Sequence, residues 1–469
     1  MANYYLAVDI GASSGRHILG YIEDGKLQLE EIHRFSNGMK DIDGYKCWDS
    51  DALFAEIKAG LKKCKEAGKI PVSMGIDTWG VDFALIDAEG NKVGNTVGYR
   101  DSRTQGMDAE LSKYISEDDL YGRTGIQKQL YNTIYQLMAV KTKQPELLEK
   151  AETLLMTPDY YHFLLTGKKA AEYTIATTGQ LVNPATKDWD YEMFEMLGYP
   201  KHIFPEIKKP GTVLGSLSDA VAEEVGFSCQ VVLPASHDTG SAVMAVPSMG
   251  VETVYISSGT WSLMGVELEE AICTEESKKA NLTNEGGYDY RYRFLKNIMG
   301  LWMIQSVRHE YDDKYSFAEL CDMAEEVKDF PSRVDVDADD FFAPESMIQA
   351  ICDYCERSGQ PVPKTPGEVS TVVYQSLAEC YGRTVKELES ITGKTYEAIN
   401  IVGGGSNAAY LNQLTANATD KTVYAGPGEA TALGNIVAQM LTAGEYDSLA
   451  TARKAIFDSF AVKTFNPMH

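Results

Sequence analysis

The sequence predicts an α/β protein made of two related halves with a cleft between them. Three observations predict it. The chain has 469 residues, more than one hydrophobic core ordinarily organises. Short apolar runs alternate with helical periodicities along its length, the pattern of sheets covered by helices. A strand, a small Ser/Gly turn and a second strand open the chain, and the same sequence of elements returns at 252–267. Such an echo suggests two halves that begin alike.

The first half starts with an apolar run at 4–10, a turn at 11–16 (Gly11, Ala12, Ser13, Ser14, Gly15, Arg16) and a second run at 17–22. Asp24-Gly25 is a hairpin signal before a third strand at 27–35. The turn is small and polar, and its amides and hydroxyls suit phosphate oxygens. It matches neither common glycine-rich phosphate motif, and an ordinary hairpin turn explains it equally well on local grounds. Asp49-Ser50 opens a helix with Leu53, Ile57, Leu61 and Cys64 on one face, closed at Gly68. A strand at 72–77 leads to Trp79 and Gly80, an apolar wall beside an open backbone that suits a sugar face. Residues 105–200 read as helix and loop inserted on the first domain.

Midway, the apolar run Val231-Val232-Leu233 precedes Ala235-Ser236-His237-Asp238-Thr239-Gly240, and a helix is expected from Ser241. An acid at a strand-to-helix junction looks outward from the sheet end where open α/β folds hold ligands. Helix capping is the simpler use of Asp238. The second half opens at 252–258, turns at Ser258-Gly259-Thr260 and continues at 261–267. Lys296 to Gly300 is expected to open a helix carrying Trp302 and Gln305. Ile348, Ile351, Cys352 and Cys355 share one helical face and read as core rather than as metal ligands. A long helix is expected over 368–391. A strand at 399–402 then meets Gly403-Gly404-Gly405 and a helix over 406–420. Glycines where a strand meets a helix N-terminus let a nucleotide lie against the backbone.

Composition narrows the function. Lys plus Arg is 43 against 68 Asp plus Glu, a net charge of −25. That field disfavours nucleic acid and anionic membranes. The eight cysteines are too scattered for a disulfide framework. No apolar stretch is long enough for a membrane span. The start of the chain has no basic, apolar leader pattern, so the cytoplasm is the expected compartment.

Taken together, DIGASSGR (9–16), WDSDALF (48–54), GIDTWGVDF (75–83), YRDSRT (99–104), NTIYQL (132–137), ASHDTGSAV (235–243), SSGTWSLMG (257–265), NEGG (284–287), RFLKNIMGLWMIQ (293–305), IVGGGSN (401–407) and EATALGNI (429–436) resemble a carbohydrate kinase of the FGGY family. The likeness runs nearly the whole length and falls in the branch acting on L-rhamnulose. It implies two actin-like ATPase (RNase H-like) domains flanking a deep cleft, 1–246 and 247–469, which close over ATP and a ketose. It implies Asp238 as proton acceptor, with Gly80, His237, Asp238, Thr239 and Asn297 on the sugar. It implies Ala12, Ser13, Ser14, Gly15, Arg16, Thr260, Gln305 and Gly404 on ATP, and Asp9 near Mg2+. Relatives outside this branch often carry a Lys and a Trp near 128–137, where this chain has Tyr131-Asn132-Thr133-Ile134-Tyr135. That weakens transfer of their sugar contacts.

The expected reaction is phosphorylation of L-rhamnulose at O1, with L-fuculose or another ketose as the alternative. Sugar and ATP are the expected partners, as monomer or dimer. Asp238-Thr239-Gly240 also matches the D-T-G of aspartic proteases, but those enzymes need two such acids and the nearest match is Asp77-Thr78-Trp79. A non-catalytic sugar or nucleotide sensor is the remaining rival.

Overall fold

A computed structural model of the chain describes residues 2–248 and 252–468. The boundary expected at 247–250 lies partly outside them. The chain forms two compact units. The first comprises Met1–Ala245, Glu267–Phe294 and Thr431–Ser459, the second Val246–Val266, Leu295–Ala430 and Phe460–His469.

The first unit is organised by a six-stranded sheet in the spatial order Val213–Ser216, Gln230–Val232, Pro71–Thr78, Tyr4–Ile10, Ser14–Glu23, Lys26–Ser36. The three central strands run parallel, and both edges are antiparallel. Strand Tyr4–Ile10 is a near-continuous apolar run because both sheet faces are covered. Helix Ser50–Glu66 lies against the sheet by the face read from its periodicity: Leu53, Ile57, Leu61 and Cys64 are buried. Asp49 caps it by accepting from the Ala52 amide. His17 packs where Gly60 leaves no side chain, since a Cβ there would stand 2.1 Å from the imidazole. The hairpin turn at Asp24-Gly25 has both residues at positive φ.

The first turn is tighter than expected. Only 11–13 turn, and Ser14, Gly15 and Arg16 already pair in the second strand, with Arg16 opposite Asp9 and Gly15 opposite Ile10. Gly15 is required by packing, because a Cβ would sit 2.1 Å from the Phe35 ring on the neighbouring strand.

In the second unit, Thr253–Ser258 forms a hairpin with Ser262–Leu268 and runs parallel to Ala398–Val402. Ala398–Val402 in turn runs parallel to Thr422–Ala425. This repeats the opening of the first unit, in which Tyr4–Ile10 forms a hairpin with Ser14–Glu23 and runs parallel to Pro71–Thr78. The long helix is Pro366–Thr392, with a Thr365/Glu368 capping box. Three local expectations change. Lys296 and Asn297 lie on strand Tyr292–Ile298, and the helix begins only at Trp302, after Gly300 at positive φ. Residues 404–407 are a 3-10 turn, and the helix proper is Ala409–Thr419. In helix Met347–Arg357 the buried face is Met347, Ile351 and Cys355, with Ile348 and Cys352 at its edge. All eight cysteines are free thiols. Among the described residues no helix is long and apolar enough to cross a membrane.

Candidate active site

The central parallel strands of the first unit bring Asp9, His237 and Asp238 to the carboxyl end of the sheet. Asp9, next to the end of strand Tyr4–Ile10, lies in register with Asp77 on strand Pro71–Thr78. Thr78 bridges to His237, which follows strand Gln230–Val232. Ligands of open α/β sheets bind at this carboxyl end. Asp238 is the first residue of helix Asp238–Met244, with His237 in the capping position. The helix therefore starts three residues before the expected Ser241, and Asp238 is not its cap. Asp238 Oδ1 accepts from the Thr239 amide at 2.6 Å. Its side chain remains 29% exposed, so one face is open to a ligand. Burial pushes its carboxyl above the usual range, opposed by His237 and assisted by Asp9.

Helix Asp238–Met244 is fixed from beneath by helix Ala430–Ala443. A Cβ at Gly434 would stand 1.7 Å from the Ser241 carbonyl oxygen, so only glycine allows that approach. The segment before Asp238 is anchored by Glu172. Its buried carboxylate accepts from the amides of Thr174, Ile175 and Ser236 and from the Thr174 hydroxyl. The same hydroxyl accepts from the His237 amide at 3.1 Å. The insertion at 105–200 thus supports the site through Glu172 and Thr174.

Trp79 and Gly80 stand beside a second buried acid. Asp82 accepts from the indoles of Trp48 and Trp79 at 2.7 and 2.9 Å, from Gln136 and from the Tyr99 amide. Burial nevertheless pushes its carboxyl up. The two indoles lie 4.1 Å apart, and Tyr99 packs on Tyr131. Trp79 is therefore core, while Gly80 is half-buried with Thr178 3.1 Å from where a Cβ would be. Of the YRDSRT run, Arg103 is buried on Gln136 and Arg100 is exposed.

At the first turn, Ser13 is exposed, and Ala12, Ser14 and Arg16 are half-buried. The Gly11 amide is committed to the Ser14 carbonyl. Arg16 Nη2 donates to Asp9 Oδ2 at 2.7 Å.

In the second unit, Gly259, Gln305 and Gly404 line a cavity of about 890 Å³ together with Tyr374, Tyr410 and Leu414. That volume is of small-ligand size. Thr260 is exposed at its turn, and its carbonyl accepts from the Trp302 amide at the start of the next helix. The three glycines have different duties. Cβ atoms on Gly403 and Gly405 would meet Ser258 at 2.9 and 2.0 Å, whereas nothing lies within 4 Å of one on Gly404. Asn297 is half-buried on its strand in this unit.

Comparison with known proteins decides the family. The profile of the FGGY family of carbohydrate kinases, N-terminal domain, matches residues 4–245, and that of its C-terminal domain matches 254–443. The chain belongs to the FGGY family of carbohydrate kinases. It is 54% identical over 463 residues to a rhamnulokinase of Halalkalibacterium halodurans, covering 99% of this chain and 98% of that one. It is 50% identical over 460 residues to a rhamnulokinase of Oceanobacillus iheyensis, covering 98% and 97%. The crystal structure of a xylulose kinase from Rhodospirillum rubrum has the same fold, with a TM-score of 0.80, 16% identity and coverage of 99% and 94%. The FGGY kinase thus has the two-domain, actin-like α/β fold expected, and the aspartic-protease reading is set aside.

The residues of this FGGY kinase suit magnesium only in a sparing way. Among the described residues no group of three or more His, Cys, Asp or Glu is arranged to hold a metal. Mg2+ needs no such cage, since it keeps waters and takes one or two carboxylates besides phosphate oxygens. Asp9 supplies a hard oxygen donor of this type. Asp77 Oδ1, one strand away in register, is buried without a hydrogen-bond partner.

Three charged residues around His237 and Asp238 lie outside the expected set: Glu172, whose carboxylate accepts from the Ser236 amide, and Glu285 and Arg293, which lie 3.2 and 2.9 Å from His237 Nδ1. Two of them lie inside the motifs NEGG and RFLKN, and a charged residue in an otherwise apolar strand was the available signal.

Proposed function

We propose that this chain is a cytoplasmic kinase that transfers the γ-phosphoryl group of ATP to O1 of L-rhamnulose, in L-rhamnose catabolism. The observation that carries the reading is the 54% identity, over nearly the full length of both chains, to a relative named rhamnulokinase. The site chemistry supports it: a carboxylate at the carboxyl end of the sheet, open on one face and raised by burial, is suited to receive a hydroxyl proton.

In this reading Asp238 accepts the proton of the O1 hydroxyl as that oxygen forms a bond to the γ-phosphorus. The bond from phosphorus to the bridging oxygen breaks, and its electron pair leaves with ADP. Such transfer is mainly positioning and charge stabilisation. Gly80, His237, Thr239 and Asn297 are assigned to the ketose. Thr260, Gln305 and Gly404 are assigned to ATP, as are Ala12, Ser13, Ser14, Gly15 and Arg16. Gly15 serves through its backbone, since packing on Phe35 already explains its lack of a side chain. Asp9 would hold magnesium, which supplies charge neutralisation at the phosphates when bound.

A coupled ADP-release assay over a panel of ketoses, aldoses and glycerol tests the substrate. L-Rhamnulose should exceed every other sugar in kcat/KM by about tenfold or more. A higher value for L-fuculose or another ketose would replace the substrate. Binding of sugar without ADP release would favour a sensor.

A further inference from the structure

The residues on either side of Asp238 hang from one buried guanidinium. Arg293, on strand Tyr292–Ile298, is only 1% exposed. Its Nε donates to the Gly286 carbonyl at 2.8 Å, its Nη1 to Thr239 Oγ1 at 2.7 Å and its Nη2 to His237 Nδ1 at 2.9 Å. Its counter-charge is Glu285, with Oε2 3.0 Å from Nη2. Gly286 is itself held, its amide donating to Thr177 Oγ1 at 2.7 Å.

A structural arginine in this position needs only its carboxylate and the carbonyl. The other two donors go to residues 237 and 239, one before and one after the base. His237 Nδ1 lies 2.9 Å from Nη2 and 3.2 Å from Glu285 Oε2, so the ion pair grips this edge of the ring, and Nε2 faces Asp238 Oδ1 at 3.4 Å. The Arg293–Glu285 pair thereby fixes the ring's orientation, as polar contacts to one nitrogen do for histidines in general. The Thr239 hydroxyl accepts from the same guanidinium and cannot rotate freely.

We propose that Arg293, with Glu285 as its counter-ion, is a positioning residue for phosphoryl transfer: it locks His237 and Thr239 so that the Asp238 carboxylate is held in one orientation toward the acceptor hydroxyl. The other charged groups facing Asp238 are Asp9 and Asp77, and neither is hydrogen-bonded to Arg293. The proposal rests on the assignment of Asp238 as base. Lysine cannot replace the fork, because an ammonium is a point donor rather than a planar pair.

The test measures steady-state kinetics with L-rhamnulose and ATP for Arg293→Met, Arg293→Lys and Asp238→Asn, with thermal melts for each. Loss of the fork should lower kcat of Arg293→Met about 100-fold, the scale of an ångström-sized misplacement, with KM for ATP unchanged. Guanidinium chloride at sub-denaturing concentration should restore part of that turnover, an effect that general loosening of the fold would not produce. Arg293→Lys should fall by about tenfold or more, and it decides the matter should Arg293→Met fail to fold. Wild-type kcat in folded Arg293→Lys overturns the proposal, as does a loss in Arg293→Met that guanidinium does not relieve. If Asp238→Asn is inactive while the Arg293 variants are normal, only this inference fails. If Asp238→Asn turns over normally, the base assignment fails first.

Discussion

Asp238→Asn should lower turnover by about 10²–10⁴-fold, the usual contribution of a positioned general base, while sugar binding stays measurable by calorimetry. The substitution is nearly isosteric. Its amide oxygen can still accept from the Thr239 amide, which the Asp238 carboxylate meets at 2.6 Å, so the start of helix Asp238–Met244 is retained. What disappears is the ability to receive a proton. Stability should not suffer. Asp9 and Asp77 are like charges near Asp238, and burial already disfavours its ionised form. The melting temperature is expected to match or exceed that of the wild type. A folded Asp238→Asn enzyme with near-normal kcat would exclude this residue as the base.

Acid should weaken the first unit through Glu285, and Glu285→Gln should flatten that dependence. Burial opposes ionisation of this carboxyl, but Arg293 and His237 overcome it and hold it at about 2, below its ordinary 4.5. A carboxyl depressed on folding contributes stability above its unfolded value, and that contribution is lost as pH falls from 4.5 through about 2. A shift of this size corresponds to about 3 kcal/mol. Urea unfolding between pH 6 and pH 3 should therefore show a steeper loss for the wild type than for Glu285→Gln. The variant itself should be less stable at neutral pH, because it leaves the buried Arg293 charge without its partner. Parallel pH profiles for the two proteins would refute the assignment of this pair.

The parts of the fold and site legible in the sequence were those with a period or a junction. Leu53, Ile57, Leu61 and Cys64 mark their helix face because one helix face repeats every three to four residues. Asp238 stood out because a strand ended just before it. The repeated strand–turn–strand openings foretold the common topology of the two units. Residues at turns were less legible. Ser14 to Arg16 look like loop, yet the ladders capture them, Gly15 and Arg16 on Tyr4–Ile10 and Ser14 on Lys26–Ser36, since cross-strand pairing outweighs local composition. Lys296 and Asn297 lie between apolar residues that fit either period, and it is Gly300 at positive φ that delays the helix to Trp302. Glu285 and Arg293 stand inside two of the quoted motifs, but their reach to His237 and Thr239 has no signature in the sequence. A contact across 56 residues leaves no trace in spacing. The glycine triplet was half legible: Gly404 is open to the cavity, but Gly403 and Gly405 are glycines because Ser258 crowds them.

The proposed reaction moves the γ-phosphoryl group of ATP onto a ketose hydroxyl whose proton Asp238 receives. Phosphorus NMR of the wild-type enzyme with L-rhamnulose and ATP tests it most directly. The expected products are ADP and one new phosphomonoester whose phosphorus couples to the two protons on C1. A phosphorus coupled to another position of the sugar, or inorganic phosphate alone, would contradict it.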